Sequence, residues 1–544
     1  MPSNNLGDDI QFKAAETGAA DPIIQRLAQE DKVPWYRKKN LRHLYFVLFP
    51  TAMGIEITSG FDSQMINAMQ FLDPWNDYFG KPQREMNGFI AASYSLGAIL
   101  SLPFVPIINE RFGRRWAIFI GSWIMVIGAI IQCFAQNRAN YIIARAILGF
   151  GIPMAIVAGS SLIGELGYPK ERPVLTSLFN VSYFVGELTA AGIAFGTRSI
   201  AGEWAWRLPG ILQAVPSLLN LTLIFFVPES PRWLVSKDRH DEAYAILTKY
   251  HAEGDPDSEF VRAEMAQIQT TIAIELEASK KSWFDLFTSS GMRRRVIIST
   301  ALGLFTQWSG NTLISYYLST ILTMIGWTDS DDKNKVNVGI SAWSLITASI
   351  AAFAVLRFRR RVMYMICTIS LLCVYIGWTV AMERAMTAVD EGGKNNAAGI
   401  MVLVFIYLYK PCYNIGYNAL TYTYLVELWP FAERSRGIAY FQLWGRLSTF
   451  FTTFINPIAM ADIGWKWLIF YCCWLAFEIV FVYFMFPETY GRTLEELAFI
   501  FEDKNKAERA IAAVEKARAG LDDDEKRVSL STVEDTHGQL GRAV

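Results

Sequence analysis

Long apolar segments alternate with short polar segments along most of this 544-residue chain. About 20 apolar residues cross the hydrocarbon core of a bilayer as one helix, and about twelve segments reach that length. They form two groups of six, and the predicted spans are 44–67, 87–108, 116–135, 139–163, 174–197 and 207–227, then 296–322, 337–357, 362–382, 398–426, 437–460 and 465–486. This pattern predicts an all-α membrane protein made of two six-helix halves.

The polar segments divide the chain into five parts. We predict an N-terminal segment 1–43, a helix bundle 44–227, a polar linker 228–295 with helix-like periodicity, a second bundle 296–486 and a charged tail 487–544. The first forty residues lack the short apolar region of a secretory signal peptide, so the first span is expected to direct insertion. After about residue 500 we predict a short surface helix and then disorder.

Basic clusters predict the orientation in the membrane. RFGRR follows the second span, RFRRR the eighth and ERSR the tenth, and the linker is also basic. Loops rich in Lys and Arg stay in the cytoplasm. We therefore expect both termini, the linker and these turns to be cytoplasmic.

Composition excludes several classes of function. The net charge of -1 offers no surplus of basic residues for a nucleic acid. The six cysteines lie in apolar segments without zinc or disulfide spacing, and the four histidines lie in polar segments or at the edge of a span. There is no P-loop for ATP. We expect neither an enzyme nor a bound metal or cofactor.

The two halves repeat one another. Glu165 precedes Pro169 and Arg172 after the fourth span, and Glu427 precedes Pro430 and Arg434 after the tenth. Likewise PES at 228–230 follows the sixth span and PET at 487–489 follows the twelfth. Repeated halves of six spans are typical of transporters that rock about a site near the middle of the membrane.

A set of motifs in fixed order resembles the sugar porter family of the major facilitator superfamily over about residues 40 to 500. The matching stretches are GFD at 60–62, ERFGRR at 110–115, the arginine of YIIARAILGFG, WRLP at 206–209, PESPRWL at 228–234, QWSGN at 307–311 and PETYGRTLEE at 487–496. QWSGN and the linker resemble the fungal lactose permease and cellodextrin transporter branch. The resemblance implies a sugar transporter of the plasma membrane and favours a disaccharide.

Asp62 is an unusual residue for the middle of the first span, because an unpaired charge at the bilayer centre costs about 2.5–3.5 kcal/mol. In the proton-coupled members that this chain resembles, an aspartate at this position pairs with an arginine of the fourth span, here Arg145. Burial and a neighbouring cation act oppositely on a carboxyl group, so forming and breaking the pair lets it take and release a proton. The alternative is a static ion pair that only holds two helices together.

The resemblance also implies residues that bind the sugar. Amides pair with hydroxyl groups, and aromatic rings cover the C–H face of a sugar. Gln307 and Asn311 are four residues apart on the seventh helix and so share one face. Thr312 stands where the family has its asparagine. Tyr316 and Tyr317 follow on the same span, and Tyr316 is a further candidate. Asn180 falls where the family has its sugar-binding glutamine, and Tyr422 where the tenth helix usually offers a tryptophan. The alternative is that these polar groups only join helices.

Three further charges lie in the spans without an obvious role. Glu187 follows Asn180 by seven residues and so shares its helix face. Glu187 is a candidate for sugar binding or for a second proton, or it pairs with a cation that the sequence does not identify. Glu56 and Arg446 are equally unassigned.

The cytoplasmic motifs imply a gate of ion pairs that breaks when the transporter opens inward. By resemblance the gating residues are Glu110, Arg114, Arg115, Glu165, Arg172, Glu229, Arg232, Glu427 and Arg434. The turn after the eighth span departs from the motif D-x-x-G-R-R, because Leu356 and Arg359 replace its aspartate and glycine. We therefore expect the second-half gate to be weaker or wired differently.

The leading interpretation is a proton-coupled disaccharide symporter. The altered turn and the extra charges motivate one alternative, a transporter-like sugar sensor with little transport. A second alternative is a facilitator of hexose or disaccharide that moves no proton. The oligomeric state stays open.

Overall fold

The computed structural model describes residues 30–82, 84–279, 283–327, 329–354, 358–393, 395–430, 433–490 and 501. Every regular element within these residues is a helix, which confirms the predicted all-α fold. The charged tail beyond residue 501, Leu356 of the altered turn and most of the PETYGRTLEE motif lie outside the described residues.

The described residues of the first half form nine α-helices. They are α1 (Lys39–Gln70), α2 (Asp73–Tyr78), α3 (Arg84–Ser101), α4 (Phe104–Phe112), α5 (Arg114–Cys133), α6 (Arg138–Leu166), α7 (Arg172–Thr197), α8 (Trp204–Leu212) and α9 (Ala214–Leu223). Three linker helices follow, α10 (Pro231–Ser236), α11 (His240–His251) and α12 (Glu259–Ser279).

The second half contains α13 (Ser290–Trp308), α14 (Asn311–Met324), α15 (Ser330–Ala354), α16 (Arg360–Asp390), α17 (Asn396–Tyr413), α18 (Thr421–Leu428), α19 (Arg434–Ile463) and α20 (Lys466–Met485). A π-helical turn, Asn414–Asn418, joins α17 to α18. We call the end of the bundle that carries the turns 113–115 and 359–361 the basic end, and the other end the far end.

Nine spans within the described residues are long and apolar enough to cross a membrane, and α3 with α4, bent by 52°, makes a tenth. The chain is thus a multi-pass membrane protein. The two other predicted spans, 296–322 and 437–460, coincide with α13–α14 and with α19.

The seventh span is broken. Gly310 separates α13 from α14 and has a φ of +94°, in the left-handed region that a side chain resists. A Cβ at this glycine would lie 1.5 Å from the hydroxyl of Tyr375. The seventh span is therefore not one continuous helix, so the four-residue spacing of Gln307 and Asn311 does not by itself place them on one face.

Glycines let α1 approach α7 closely. A Cβ at Gly60 would lie 1.8 Å from the carbonyl oxygen of Tyr183, and one at Gly186 would lie 2.1 Å from that of Ile57. Small residues allow such backbone contact between membrane helices. Gly60 is two residues from Asp62, so this packing fixes the height and rotation of that aspartate.

A second glycine pair joins α3 and α6. Cβ atoms at Gly97 and Gly149 would each lie 1.9 Å from a carbonyl oxygen of the partner helix, those of Ala146 and Tyr94. Gly149 lies one turn after Arg145, which it holds against the interior of the first half.

We predict that Gly60→Ala lowers the apparent melting temperature of the detergent-purified protein, because the added methyl group forces α1 away from α7. Overpacking of this kind lowers the free energy of unfolding by about 1–3 kcal/mol. Gly192→Ala on α7 is the matched control, since no neighbouring part of the described structure would come within 4 Å of the added methyl group. It should leave the melting temperature unchanged or raise it, since alanine favours helix. Equal melting temperatures for the two variants would contradict the close packing.

Candidate functional site

Asp62 and Arg145 form an ion pair inside the first half. The Nη1 atom of Arg145 lies 3.3 Å from Oδ1 of Asp62, and the two side chains are 0% and 3% exposed. Gln213 donates a second hydrogen bond to the same Oδ1 at 2.6 Å. It lies at the junction of α8 and α9, where Pro216 has no backbone N–H to continue the helix.

The pair leaves hydrogen-bonding capacity unused. Nε and Nη2 of Arg145 are enclosed and have no hydrogen-bond partner among the described residues. Oδ2 of Asp62 accepts no hydrogen bond of ordinary length from them, although the hydroxyl group of Tyr94 lies near this carboxylate. A dry carboxylate with one engaged oxygen and one open oxygen can accept a proton at the open oxygen without losing Gln213.

Aromatic hydroxyl groups surround this pair. The ring of Tyr94 lies 5.2 Å from the guanidinium carbon of Arg145. Tyr316 of the second half is 8% exposed and lies within electrostatic range of both Asp62 and Arg145. The ion pair of the first half is therefore close to the boundary between the halves.

A further ion pair crosses that boundary. Glu187 on α7 meets Lys410 on α17, with Oε1 and Nζ 3.6 Å apart. Glu56 on α1 lies within electrostatic range of Arg446 on α19 without an ion-pair contact. Lys410 is thus the partner of Glu187 that the sequence does not identify, and Arg446 acts on Glu56 only at longer range.

Asn180 and Glu187 lie on the same side of α7. The exposed apolar residues Leu178 and Val185 mark the opposite side of this helix. Asn180 is exposed although it is on the inner side, and Glu187, two turns farther from the basic end, is buried. We infer that the space between the halves widens toward the basic end.

The other predicted sugar-binding residues come from the second half. Gln307 is half-buried, and its amide makes no hydrogen bond to the described residues, whereas Asn311 accepts one from Ser315 at 3.4 Å. Tyr422 is 43% exposed and accepts a hydrogen bond from Gln442 at 2.5 Å.

Hydrogen bonds close the far end between the halves. Asn337 on α15 accepts from Gln64 at 2.5 Å and from Asn67 at 3.1 Å. Arg198, just after α7, forms an ion pair with Asp331 at 2.5 Å. With the exposed Asn180, these contacts describe a state closed at the far end.

The first-half gate residues form a compact network at the basic end. Nη2 of Arg114 lies 3.1 Å from Glu165. The carboxylate of Glu229 accepts the backbone N–H groups of Arg114 and Arg115 at 3.1 and 3.2 Å. An acid at a helix N-terminus is favourable, because free N–H groups point at it. Ser230 donates a further hydrogen bond to Glu165.

The second half repeats this network. Nη2 of Arg360 lies 3.1 Å from Glu427, and Glu488 accepts the backbone N–H groups of Arg360 and Arg361 at 3.0 and 3.3 Å. Thr489 donates to Glu427 at 2.6 Å. Arg359 has a φ of -66° where Gly113 has +91°, so the turn is made differently and still delivers the same contacts. The described contacts therefore do not show the rewiring expected from the altered motif.

Other predicted gate residues have different surroundings. Arg172 donates to the carbonyl oxygen of Gly167 and lies 3.8 Å from Glu264 of the linker. Glu110 is exposed, and its backbone carbonyl accepts the indole N–H of Trp233. Neither Glu110 nor Arg232 forms an ion pair with the described residues, and the side chain of Arg434 lies outside them.

Glu264 joins the linker to the membrane helices. His251 is 2.7 Å from Glu264 through Nδ1 and 3.2 Å from the carbonyl oxygen of Leu166 through Nε2. Burial raises the pKa of Glu264, but His251 and Arg172 lower it more, so the pKa lies below its usual value. This contact therefore stabilises the fold at neutral pH and is lost only when the pH falls through that lowered pKa.

Sequence reasoning missed several residues of the site. Lys410 and Gln213 lie in predicted spans and match no motif quoted for the family. Their polarity inside an apolar segment was the available signal. Glu478 on α20 is also buried in a span, where its Oε2 accepts a 2.6 Å hydrogen bond from Tyr417.

Two repeated bundles, a dry ion pair beside their boundary and paired gates at one end define a transporter of the major facilitator type. The family model "Sugar (and other) transporter" matches residues 47–501, so the chain belongs to the sugar transporter family.

Curated relatives cover most of the chain. It is 28% identical to the high-affinity glucose transporter of Kluyveromyces lactis over 522 residues, which are 92% of this chain and 94% of that protein. It is also 28% identical to the low-affinity glucose transporter HXT3 of Saccharomyces cerevisiae over 417 residues, 75% of this chain and 72% of that protein.

Solved structures share the fold. The inward-open xylose transporter XylE from E. coli superposes with a TM-score of 0.69 at 21% identity, covering 84% of this chain and all of that one. XylE bound to 6-bromo-6-deoxy-D-glucose gives a TM-score of 0.69 at 21% identity, with 85% and 100% covered.

We predict that Glu488→Ala slows sugar transport about as much as Glu229→Ala, because each carboxylate accepts two backbone N–H groups at a helix start. Initial rates in proteoliposomes at matched protein density measure this effect. Glu391→Ala, at an exposed residue after α16, is the control and should transport normally. A normal rate for Glu488→Ala beside a slow Glu229→Ala would mean that the second gate does not contribute.

Proposed function

We propose that this protein is a proton-coupled sugar symporter that works by alternating access. The observation that carries the proposal is the dry pair of Asp62 and Arg145, in which Oδ2 of the carboxylate accepts no hydrogen bond of ordinary length from the described residues. A static structural pair would gain most by satisfying every polar atom. Unused capacity on both partners fits a pair that must break and re-form.

The coupling follows from electrostatics. Arg145 stabilises the charged form of the carboxylate beside it, and separating the two in a dry surrounding removes that stabilisation and favours protonation. Each proton that moves down 100 mV supplies about 2.3 kcal/mol, and each pH unit adds about 1.4 kcal/mol. A proton gradient of ordinary size is sufficient to accumulate sugar about a hundredfold.

Two substrate classes are in competition. QWSGN at 307–311 and the linker resemble the branch that carries disaccharides, whereas the relatives described above are named glucose transporters. We propose a disaccharide such as lactose or cellobiose, with a hexose as the second candidate. Asn180, Glu187, Gln307, Asn311, Tyr316 and Tyr422 are the proposed sugar-binding residues.

The sensor alternative loses its main motivation. It rested on the altered second-half turn, yet Arg360 still contacts Glu427 and Glu488. The facilitator alternative would show sugar uptake that does not respond to an imposed pH gradient. We further propose that the protein acts in the plasma membrane with the basic end and both termini in the cytoplasm, which makes the described state inward-facing. Both gate networks are formed in this state and each lies within one half, so the inward opening proposed here does not need these ion pairs to break.

We predict that Asp62→Asn abolishes uphill accumulation in proteoliposomes with an inward proton gradient and leaves sugar counterflow measurable. The amide retains the size of the carboxylate but has no proton to exchange. Asp241→Asn, at an exposed position of the linker, is the matched control and should accumulate sugar normally. Full accumulation by Asp62→Asn would refute the coupling role.

We predict that cellobiose or lactose competes better than D-glucose or D-xylose for uptake of one labelled disaccharide. The measurement is the concentration of each sugar that halves the initial rate. Stronger competition by D-glucose would assign the protein to hexoses, and no competition by cellobiose or lactose would overturn the proposed disaccharide substrates.

A further inference from the structure

Lys410 and Glu187 form an ion pair that no motif of the chain predicts. They lie on α17 and α7, so one residue comes from each half. The side chains are 5% and 8% exposed. Placing two charges in so dry a setting is costly unless each is fully hydrogen-bonded.

The pair is not hydrogen-bonded in the described structure. Its N–O separation of 3.6 Å exceeds hydrogen-bond distance. Neither charged group makes a hydrogen bond to any other described residue. Each group also retains a small accessible surface. An ammonium has three N–H donors and a carboxylate accepts several hydrogen bonds, so most of their capacity is unused among the described residues.

The neighbourhood of the pair is the proposed sugar site. Tyr183, one turn before Glu187, lies within electrostatic range of Glu187, of Tyr316 and of Glu56. Glu187 also shares the inner side of α7 with Asn180. A sugar that contacts those residues therefore lies within reach of the pair.

A hydroxyl group matches this gap better than any other sugar substituent. It donates one hydrogen bond and accepts others, so one hydroxyl can donate to Glu187 while it accepts from Lys410. A neutral hydroxyl preserves the balance of charge. A sugar acid would compete with Glu187 for Lys410 and leave a buried carboxylate without its cation, which is costly.

We propose that Lys410 is a sugar-binding residue, and that it and Glu187 together bind one hydroxyl group of a neutral sugar. This inference rests on the proposed sugar transport. Because the two side chains belong to different halves, the bridging hydroxyl also ties substrate binding to closure around the sugar.

The test combines removal of one side chain of the protein with removal of one hydroxyl group of the sugar and compares the dissociation constants. Dissociation constants for D-glucose, its 2-, 3-, 4- and 6-deoxy analogues and cellobiose are measured with purified wild type, Lys410→Met and the control Lys237→Met, an exposed linker residue. We expect Lys410→Met to raise the dissociation constants for D-glucose and cellobiose about tenfold. One deoxy analogue should bind wild type and Lys410→Met equally, because it lacks the bridging hydroxyl. Lys237→Met should bind like wild type.

A double variant without either charge controls for misfolding of the single variant. Lys410→Met leaves Glu187 without its cation, so Glu187→Gln with Lys410→Met is measured in parallel. This double variant should also bind D-glucose and cellobiose more weakly than wild type does, and it should bind the same deoxy analogue as tightly as wild type does. Unchanged affinities, or an equal loss for every analogue, would overturn the role of Lys410 while sugar binding by wild type stands. A wild type that binds none of these sugars would overturn the proposed function and this inference together.

Discussion

The ion pair between Asp62 and Arg145 is the interaction on which the site depends. Two sets of glycines bring α1 against α7 and α3 against α6, and this backbone contact places the two charges in one dry pocket. The break between α8 and α9 adds Gln213 to the same carboxylate oxygen. The helix packing of the first half thus determines which oxygen of the aspartate stays open.

The repeated halves explain the rest of the architecture. Each half places a glutamate at the start of one helix and an arginine of that helix beside a second glutamate, so both gates are built from the same contacts. The cross-half contacts differ along the bundle: amide hydrogen bonds and the Arg198–Asp331 ion pair close the far end, and the Glu187–Lys410 pair lies nearer the middle. A transporter of this type can open the far end by breaking the first set and retain the pair near the middle for the substrate.

Sequence reasoning identified the fold and the family because span length and motif order are local properties of the chain. It also proposed Asp62 with Arg145, whose side chains the structure brings together. It missed Lys410 as the partner of Glu187, since a pairing between halves depends on helix rotation that periodicity alone does not fix. It took the seventh span as continuous, although a glycine with positive φ divides it. The contacts of Arg360 and Arg361 do not show the different wiring expected from the altered turn, because backbone N–H groups donate whatever the side chain; a weaker gate stays a prediction.

The central claim is that sugar movement carries a proton through Asp62. The most direct measurement is the pH outside proteoliposomes when sugar is added in a weakly buffered medium with no imposed gradient. The account predicts that the medium becomes more alkaline as sugar enters, with proton uptake in fixed proportion to the sugar taken up. Sugar entry at the normal rate with no change in external pH would contradict it.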